Sequence, residues 1–281
     1  MRLITWNTNF RSAACLDAIR ALRPDIVLLQ EVKHKQASGF LAALSRFDCV
    51  HAAYSGSPTD QGKRYANITA SRWPVSKIAE WAPSMPWPQL ALRATVQTPE
   101  GAIDTINVHM PNGSANGWRK VESLEALATA LDSGGDLARA VAGDFNEPQT
   151  ILPGGNVVSF GESIDANGVV HVGRAGSTAG RFTDKFGYED DLERWASVVR
   201  RIFGRQAQHG LRHVVDLGSG GPFPTTHVVR GGSPRFFDHL FLSRHLRATK
   251  YVYVDSVREN LQHSDHSALY ADIVFVGGLP N

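Results

Sequence analysis

Several residues able to hold a metal ion or a phosphate stand where an apolar run breaks off. Leu3-Ile-Thr-Trp leads into Asn7, Ile26-Val-Leu-Leu-Gln into Glu31, Thr105-Ile-Asn-Val into His109, and Ala140-Val-Ala-Gly into Asp144 with Asn146 just beyond. A carboxylate or imidazole at the end of a buried strand must be hydrated or paired, because leaving it unsatisfied in the interior costs several kcal/mol. One such ending says little, and several at equivalent strand ends are most economically placed around one cleft. Further on, Ser264-Asp265-His266 precedes another apolar run, and Asp238 lies within Phe236-Phe237-Asp238-His239-Leu240, although Asp is depleted from strands. A buried Asp that accepts from a histidine ring fixes the tautomer and favours the imidazolium, and Asp238 with His266 is the pair we select. Asp265 and His266 are neighbours that point to opposite sides when extended, so they are not expected to pair with each other. For the same reason Ser264-Asp265-His266 is no serine-hydrolase triad, and no Gly-x-Ser-x-Gly elbow accompanies it.

Each residue also has a bland reading. Asn7 and Asn9 suit a turn after a strand, Gly143-Asp144 suits an ordinary turn with Asn146 bonding its own backbone, His109 suits a satisfied interior histidine, and Glu31 a surface acid. Asp238, among phenylalanines and leucines, is the hardest to explain that way.

The elements that must carry these residues follow from periodicity. Alternating or continuous apolar runs predict strands at 2–6, 25–30, 65–71, 90–97, 103–109, 138–142, 236–242 and 268–276. Helical spacing predicts helices at 13–22, ahead of Pro24, at 118–132, ended by Ser133-Gly134-Gly135, and at 190–206, with Trp195, Val198, Val199, Ile202 and Phe203 turned inward. Acidic Glu189, Asp190 and Asp191 before that last helix and Arg200, Arg201 and Arg205 at its end suit the helix dipole. The stretch 153–234 is irregular and rich in Gly, Ser and Arg, and reads as an insertion into a single domain spanning 1–281.

With 42% hydrophobic and 20% charged residues the chain is globular rather than disordered or fibrous. A net charge of +2 names no partner. Cys15 and Cys49 form no disulfide framework, no apolar run is long enough to cross a membrane and no leader is recognised, so a reducing, cytoplasmic setting is expected. The sequons at Asn67 and Asn112 are then without meaning.

The ordered set Trp6-Asn7-Thr8-Asn9, Leu29-Gln30-Glu31-Val32, Ser71-Arg72-Trp73-Pro74-Val75, Asn107-Val108-His109-Met110-Pro111-Asn112, Gly143-Asp144-Phe145-Asn146, Phe237-Asp238-His239-Leu240-Phe241-Leu242-Ser243 and Ser264-Asp265-His266 resembles the endonuclease/exonuclease/phosphatase superfamily, the DNase I-like and exonuclease III-like phosphodiesterases. The resemblance covers most of the chain outside 153–234. It implies an α/β fold, a four-layer α/β/β/α sandwich whose two mixed sheets are flanked by helices, with a catalytic cleft at one edge of the sheets. It further implies that Glu31 binds Mg2+ (or Mn2+) with Asn7 nearby and Asp265 close to the metal. Asp144 would orient or deprotonate the attacking water, Asn146 and His109 would donate to the phosphate, the Asp238–His266 pair would stabilise the charge that builds there, and Asn112 and Arg72 would add phosphate contacts.

That chemistry suits the residue types. A phosphodiester is anionic and repels hydroxide, so a cation and neutral or positive donors must offset the charge growing on its oxygens. Magnesium prefers oxygen ligands, and the histidines are too dispersed for a closed zinc site.

The superfamily's substrates range from DNA and RNA to phosphoinositides and sphingolipids, and the fold does not choose among them. The segment around Asp238 lacks the Trp-Cys-Asp-Arg pattern of inositol polyphosphate phosphatases, which favours a nuclease with DNA or RNA as substrate. Lys63, Arg64, Arg72, Arg119, Lys120 and the arginines Arg194, Arg200, Arg201, Arg205 and Arg212 are candidates for a phosphate-tracking groove, against the plainer reading of solvated surface charge. Asn9 stands where the exonuclease III-like branch has Asp, and Arg235 where abasic endonucleases place an apolar residue, which counts against abasic-site specificity. A phosphatase or phosphodiesterase for a small or lipid phosphate is the second reading, and a catalytically silent nucleic-acid-binding protein the third; the presence of Glu31, Asp144 and His266 argues against the third.

Overall fold

A computed structural model describes residues 1–57, 64–78, 84–133, 136–172, 192–205, 207–219, 221–229 and 232–277, the side chains of 114 and 115 excepted. In chain order its strands are β1 (Arg2–Asn7), β2 (Ile26–Lys33), β3 (His51–Tyr54), β4 (Tyr65–Ser71), β5 (Val75–Lys77), β6 (Ala91–Thr98), β7 (Gly101–His109) and β8 (Arg139–Asp144). Then come β9 (Thr150–Leu152), β10 (Asn156–Val158), β11 (Glu162–Ile164), β12 (Val170–Val172), β13 (Arg212–His213), β14 (His227–Val228), β15 (Pro234–Arg235), β16 (Asp238–Leu242), β17 (Leu246–Val254) and β18 (Ala268–Phe275). Twelve of them form two six-stranded sheets, ordered β17-β18-β1-β2-β4-β3 and β13-β16-β8-β7-β6-β5, and the rest pair in twos within 150–235.

The alternation of side chains along each strand builds the layers. Leu3 of β1 faces the second sheet and packs with Val96, Ala140, Ala142 and Leu240 in the core between the sheets. Ile4 and Trp6 turn the other way, onto Phe40 and Leu44 of the helix Ala37–Ser45. In the second sheet Ile106, Val108 and Val141 turn outward, onto Val121, Leu124 and Leu127 of the helix Trp118–Asp132 and onto Trp195, Val199 and Ile202 of the helix Leu192–Phe203. The result is the α/β/β/α sandwich, each buried aliphatic side chain contributing roughly 1.5–3 kcal/mol.

The core between the sheets is not wholly apolar. Gln30 of β2 donates to Asn107 Oδ1 of β7 at 2.8 Å, Asn107 donates to the Ile68 carbonyl of β4 at 2.9 Å, and Asn67 of β4 donates to the Asn107 carbonyl at 3.0 Å. These buried amides bond across from one sheet to the other, and any slip between the sheets would strand them unpaired.

The helix at 118–132 has the extent that its spacing predicts, and the helix at 190–206 is found at Leu192–Phe203, with residues 189–191 outside the described segments. The expected helix at 13–22 divides into a 3-10 turn, Ala13–Leu16, and one α-turn, Asp17–Arg20. Cys15 and Cys49 are both buried free thiols. No helix of the described residues is long and apolar enough to cross a membrane.

Candidate active site

Strand direction converts distant sequence positions into one locus. β1 and β2 run parallel, as do β7 and β8, so Asn7, His109 and Asp144 end their strands at a common edge, with His109 directly opposite Asp144 and Glu31 inside β2 near its end. β16 runs the other way and begins there, its Asp238 opposite Asp144. β18 also enters from that edge, and the turn before it is fastened by Ser264 Oγ donating to the Asn7 carbonyl at 2.7 Å and by Trp6 Nε1 donating to the His266 carbonyl at 3.1 Å.

Asp144 is the hub. Asn7 Nδ2 donates to its Oδ2 at 2.9 Å and Asn146 Nδ2 at 3.2 Å, while the Asn146 backbone N–H donates to Oδ1 at 2.8 Å. His109 Nε2 and His266 Nε2 each stand 3.7 Å from Oδ2. Asn146 reaches this place with φ of 50°, a left-handed turn that Asn tolerates better than most residues. Its second amide hydrogen goes to the Met110 carbonyl at 2.9 Å. Both hydrogens are thus engaged within the protein, one of them on Asp144.

Glu31 sits at a bulge where the β2–β4 register shifts between Leu29 and Val32, and its φ is 57°. A left-handed glutamate is uncommon, and the bulge re-aims its carboxylate toward the cleft, with Oε1 3.3 Å from His109 Nε2. Burial, together with Asp144 and Asp265 nearby, pushes this carboxyl up to about 8 against the pull of His266 and Asn7. His266 shows the converse. Burial alone would push its imidazole down, yet the carboxylates of Asp238 and Asp144 outweigh it and carry it to about 10, with Nδ1 2.9 Å from Asp238 Oδ2. At neutral pH His266 is therefore an imidazolium whose Nδ1–H is held by Asp238.

These residues fit a hard divalent cation. Glu31 and Asp265 supply oxygen donors, and Asn7 adjoins them. Asp265 Oδ1 is buried with no hydrogen-bond partner among the described residues, as suits an oxygen that a cation takes. Ionising Glu31 at neutral pH likewise calls for positive charge beside it.

Three groups depart from expectation. Arg72 follows the end of β4, and β4 is antiparallel to β2 with Ser71 opposite Ile26, so Arg72 lies at the entry end of β2, roughly 20 Å of strand from Glu31. There its Nε is 3.0 Å from Asp25 Oδ1, and it is not part of the cleft. The arginines of 194–212 are mostly committed within the molecule: Arg194 forks onto Glu125, Arg200 pairs with Glu162, Arg201 with Asp132, and Arg205 donates to the Gly154 carbonyl. Lys120 is no surface cation either, being buried against Glu147 at 2.8 Å. Lys63 lies outside the described residues. Asn112 is exposed three residues past His109, its carbonyl accepting from Asn116 Nδ2 at 2.9 Å.

Sequence reasoning missed the support beneath the Asn146 loop. Lys120 Nζ donates to the Asn146 carbonyl at 2.6 Å and to Glu147 Oε1, which also accepts from Trp195 Nε1 at 2.7 Å. Burial lowers the Lys120 ammonium and raises the Glu147 carboxyl. The Glu147 carbonyl accepts from His239 Nε2 at 2.8 Å, and His239 Nδ1 is 3.0 Å from His213 Nε2. Because a carbonyl only accepts, His239 carries its proton on Nε2 and accepts the His213 Nε2–H on Nδ1, while His213 Nδ1 lies 3.0 Å from both the N–H and the carbonyl of Val215. Both rings stay neutral, burial pushing His213 down to about 4 and His239 well below its ordinary value. His227 was missed as well; its ring lies 4.4 Å from that of His266.

A profile of the Endonuclease/Exonuclease/phosphatase family matches residues 4–266. No curated protein matches the chain. Among solved structures, it is similar to an AP endonuclease from Archaeoglobus fulgidus, with TM-score 0.64 and 19% identity over 99% of this chain and 100% of that one. A 3′ phosphatase from Neisseria, bound to product DNA hairpin, superposes with TM-score 0.60 and 21% identity over 98% and 99% of the two chains. An endonuclease/exonuclease/phosphatase from Beutenbergia cavernae gives TM-score 0.62 and 18% identity over 99% of this chain and 72% of that one.

Proposed function

The chain belongs to the endonuclease/exonuclease/phosphatase family, and from that premise we propose that it is a divalent-metal-dependent phosphodiesterase acting on nucleic acid, with Mg2+ or Mn2+ as its cation. The observation that carries the reading is the convergence of two amides and two imidazoles on the buried Asp144 carboxylate, beside Glu31 and Asp265. The likeness to a DNA-bound 3′ phosphatase and to an AP endonuclease supports nucleic acid as the substrate class.

Glu31 and Asp265 would hold the cation with Asn7 beside them, and the cation would polarise a non-bridging phosphate oxygen. Asp144, its lone pairs directed by Asn7 and Asn146, orients the attacking water and takes up its proton. His266, kept protonated by Asp238, directs Nε2–H into the cleft toward the oxygens where negative charge accumulates. His109, opposite Asp144, brings a second ring nitrogen to the same place.

The test is cleavage of end-labelled single-stranded DNA, duplex DNA, an abasic duplex and RNA with Mg2+, Mn2+ or EDTA, with Glu31→Ala and Asp144→Asn proteins alongside. Metal-dependent cutting lost in both variants is the expected result. Intact nucleic acid together with turnover of a soluble phosphoester would replace this reading with that of a small-phosphate hydrolase.

A further inference from the structure

His227 belongs to no motif of the sequence, yet it contacts two consecutive residues of the site. Its ring is nearly parallel to that of His266, with centroids 4.4 Å apart and planes at 26°, and nearly parallel also to Phe237, at 5.8 Å and 21°. A backbone bridge sets His227 opposite His266, and the neighbouring Ser267 N–H donates to the Thr226 carbonyl at 2.8 Å. His227 Nδ1 stands 3.1 Å from the Asp265 carbonyl. That oxygen can only accept, so Nδ1 carries a hydrogen.

One side chain therefore restrains the His266 ring plane by stacking and the Asp265 backbone by hydrogen bonding. Asp265 Oδ1 is buried with no hydrogen bond among the described residues, and the carboxylate's histidine contacts are His227 Nδ1 to Oδ2 and His266 Nε2 to Oδ1, each at 3.9 Å. Potential ligand atoms of His227, Asp265 and His266 lie within 4.8 Å of one another. A cation held by all three is disfavoured by geometry, since Asp238 already takes the Nδ1–H of His266 and Asp144 faces its Nε2. The arrangement suits aiming instead.

We propose that His227 is a positioning residue for the phosphodiester chemistry, fixing the plane of the His266 donor and the place of Asp265. The inference rests on the function proposed above. It separates two contacts that different substitutions remove: His227→Phe keeps a stacking ring and loses the hydrogen bond, His227→Asn keeps a donor and loses the stack, and His227→Ala loses both.

Steady-state kinetics and a nitrogen-15 imidazole spectrum of the metal-free protein test it together. For His227→Ala we expect kcat to fall roughly 10–100-fold, as for other groups that orient a ligand from behind. KM should stay within about twofold, because the loss is in the transition state, and Tm within about 2 °C, because the side chain is partly exposed. The Phe and Asn variants should each recover part of kcat. The wild-type spectrum should show His227 with Nδ1–H, and the His266 ring resonances should shift in His227→Ala. Unchanged kcat in His227→Ala with an active wild type overturns this inference alone, as does a His227 ring without a hydrogen on Nδ1, or a kcat loss matched by a fall in Tm and not relieved by Phe or Asn. A wild-type protein that hydrolyses no phosphoester, with the His227 spectrum as expected, removes the function reading and the inference with it.

Discussion

Replacing Lys120 by Met removes a buried cation while nearly conserving volume, and the structure states what remains. Glu147 is fully buried; with Lys120 gone its carboxylate keeps the neutral donors of the Trp195 ring and the Phe160 backbone in place of the ammonium. Breaking a buried ion pair from one side costs about 3–5 kcal/mol, because the surviving charge is uncompensated. For a chain of this size that corresponds to a Tm lower by roughly 5–8 °C. The sign of the pH dependence follows from Glu147. Its folded carboxyl is raised, and more so without Lys120, so the destabilisation is absent below the ordinary carboxylate range and grows as pH rises through it. Lys120→Met should therefore lie closest to wild type near pH 4 and fall furthest behind at pH 7 to 8. Adding Glu147→Gln removes the stranded charge and should return most of the stability at neutral pH. Activity reports separately: without the bond from Lys120 to the Asn146 carbonyl, the loop carrying the Asp144 partner loosens, so kcat should fall in both variants. Calorimetric melts of the three proteins at pH 4, 5.5 and 7.5 decide the matter. A single variant as stable as wild type at pH 7.5, or a double variant no better than the single, would refute the claim that a charged pair is buried there.

Other measurements probe the same frame. Acid should destabilise the protein through His213: its folded imidazole sits near 4 against 6.5 unfolded, so the stability present above 6.5 declines as pH falls toward 4, by about 3 kcal/mol in all, and His213→Phe should flatten that part of a stability-versus-pH curve measured by urea melts. Asp238→Asn keeps the shape of the site but withdraws the charge that holds the His266 imidazolium, and kcat should drop by about 10³–10⁴ with little change in the circular dichroism spectrum; a loss below tenfold would remove the pair from the chemistry. Because Arg194 and Arg201 are occupied by Glu125 and Asp132, changing both to Ala should leave nucleic-acid affinity and its salt slope nearly unchanged in a fluorescence anisotropy titration; a slope smaller by about two would restore them to a groove.

What the sequence disclosed depends on how local its cause is. The long runs at 65–71, 103–109 and 118–132 read correctly because period and burial agree within each segment. β3, β5 and β17 were missed: two are short, and β17 is an edge strand with Arg247, Thr249, Lys250 and Tyr251 exposed, where apolar patterning weakens. The strand-end polar residues Asn7, Glu31, His109 and Asp144 could be gathered from sequence because each interrupts an apolar run. Arg72 could not be placed, since whether a residue after a strand is near or far from Glu31 depends on strand direction. Lys120 looked like an ordinary charge on a helix, and only the approach of Glu147 and Trp195, from segments distant in sequence, turns it inward. His227 sits in an irregular stretch without periodicity, and its meaning comes wholly from its neighbours in space.

The place of β18 has a consequence for how the molecule is made. Pairing between β18 and β1 joins the β17–β18 pair to the rest of the first sheet, and the bond from Trp6 to the His266 carbonyl spans 260 residues of chain. During synthesis β1 emerges long before β18 and has an unpaired, apolar margin until that partner arrives. Contacts of such long range are formed slowly and leave a period in which that margin invites wrong pairing. The same delay acts as a safeguard, because Asp265 and His266 arrive with the strand that seals the sheet. A nascent or truncated chain holding Glu31 and Asp144 thus lacks the imidazolium donor, and hydrolytic capacity should appear only when the fold is complete.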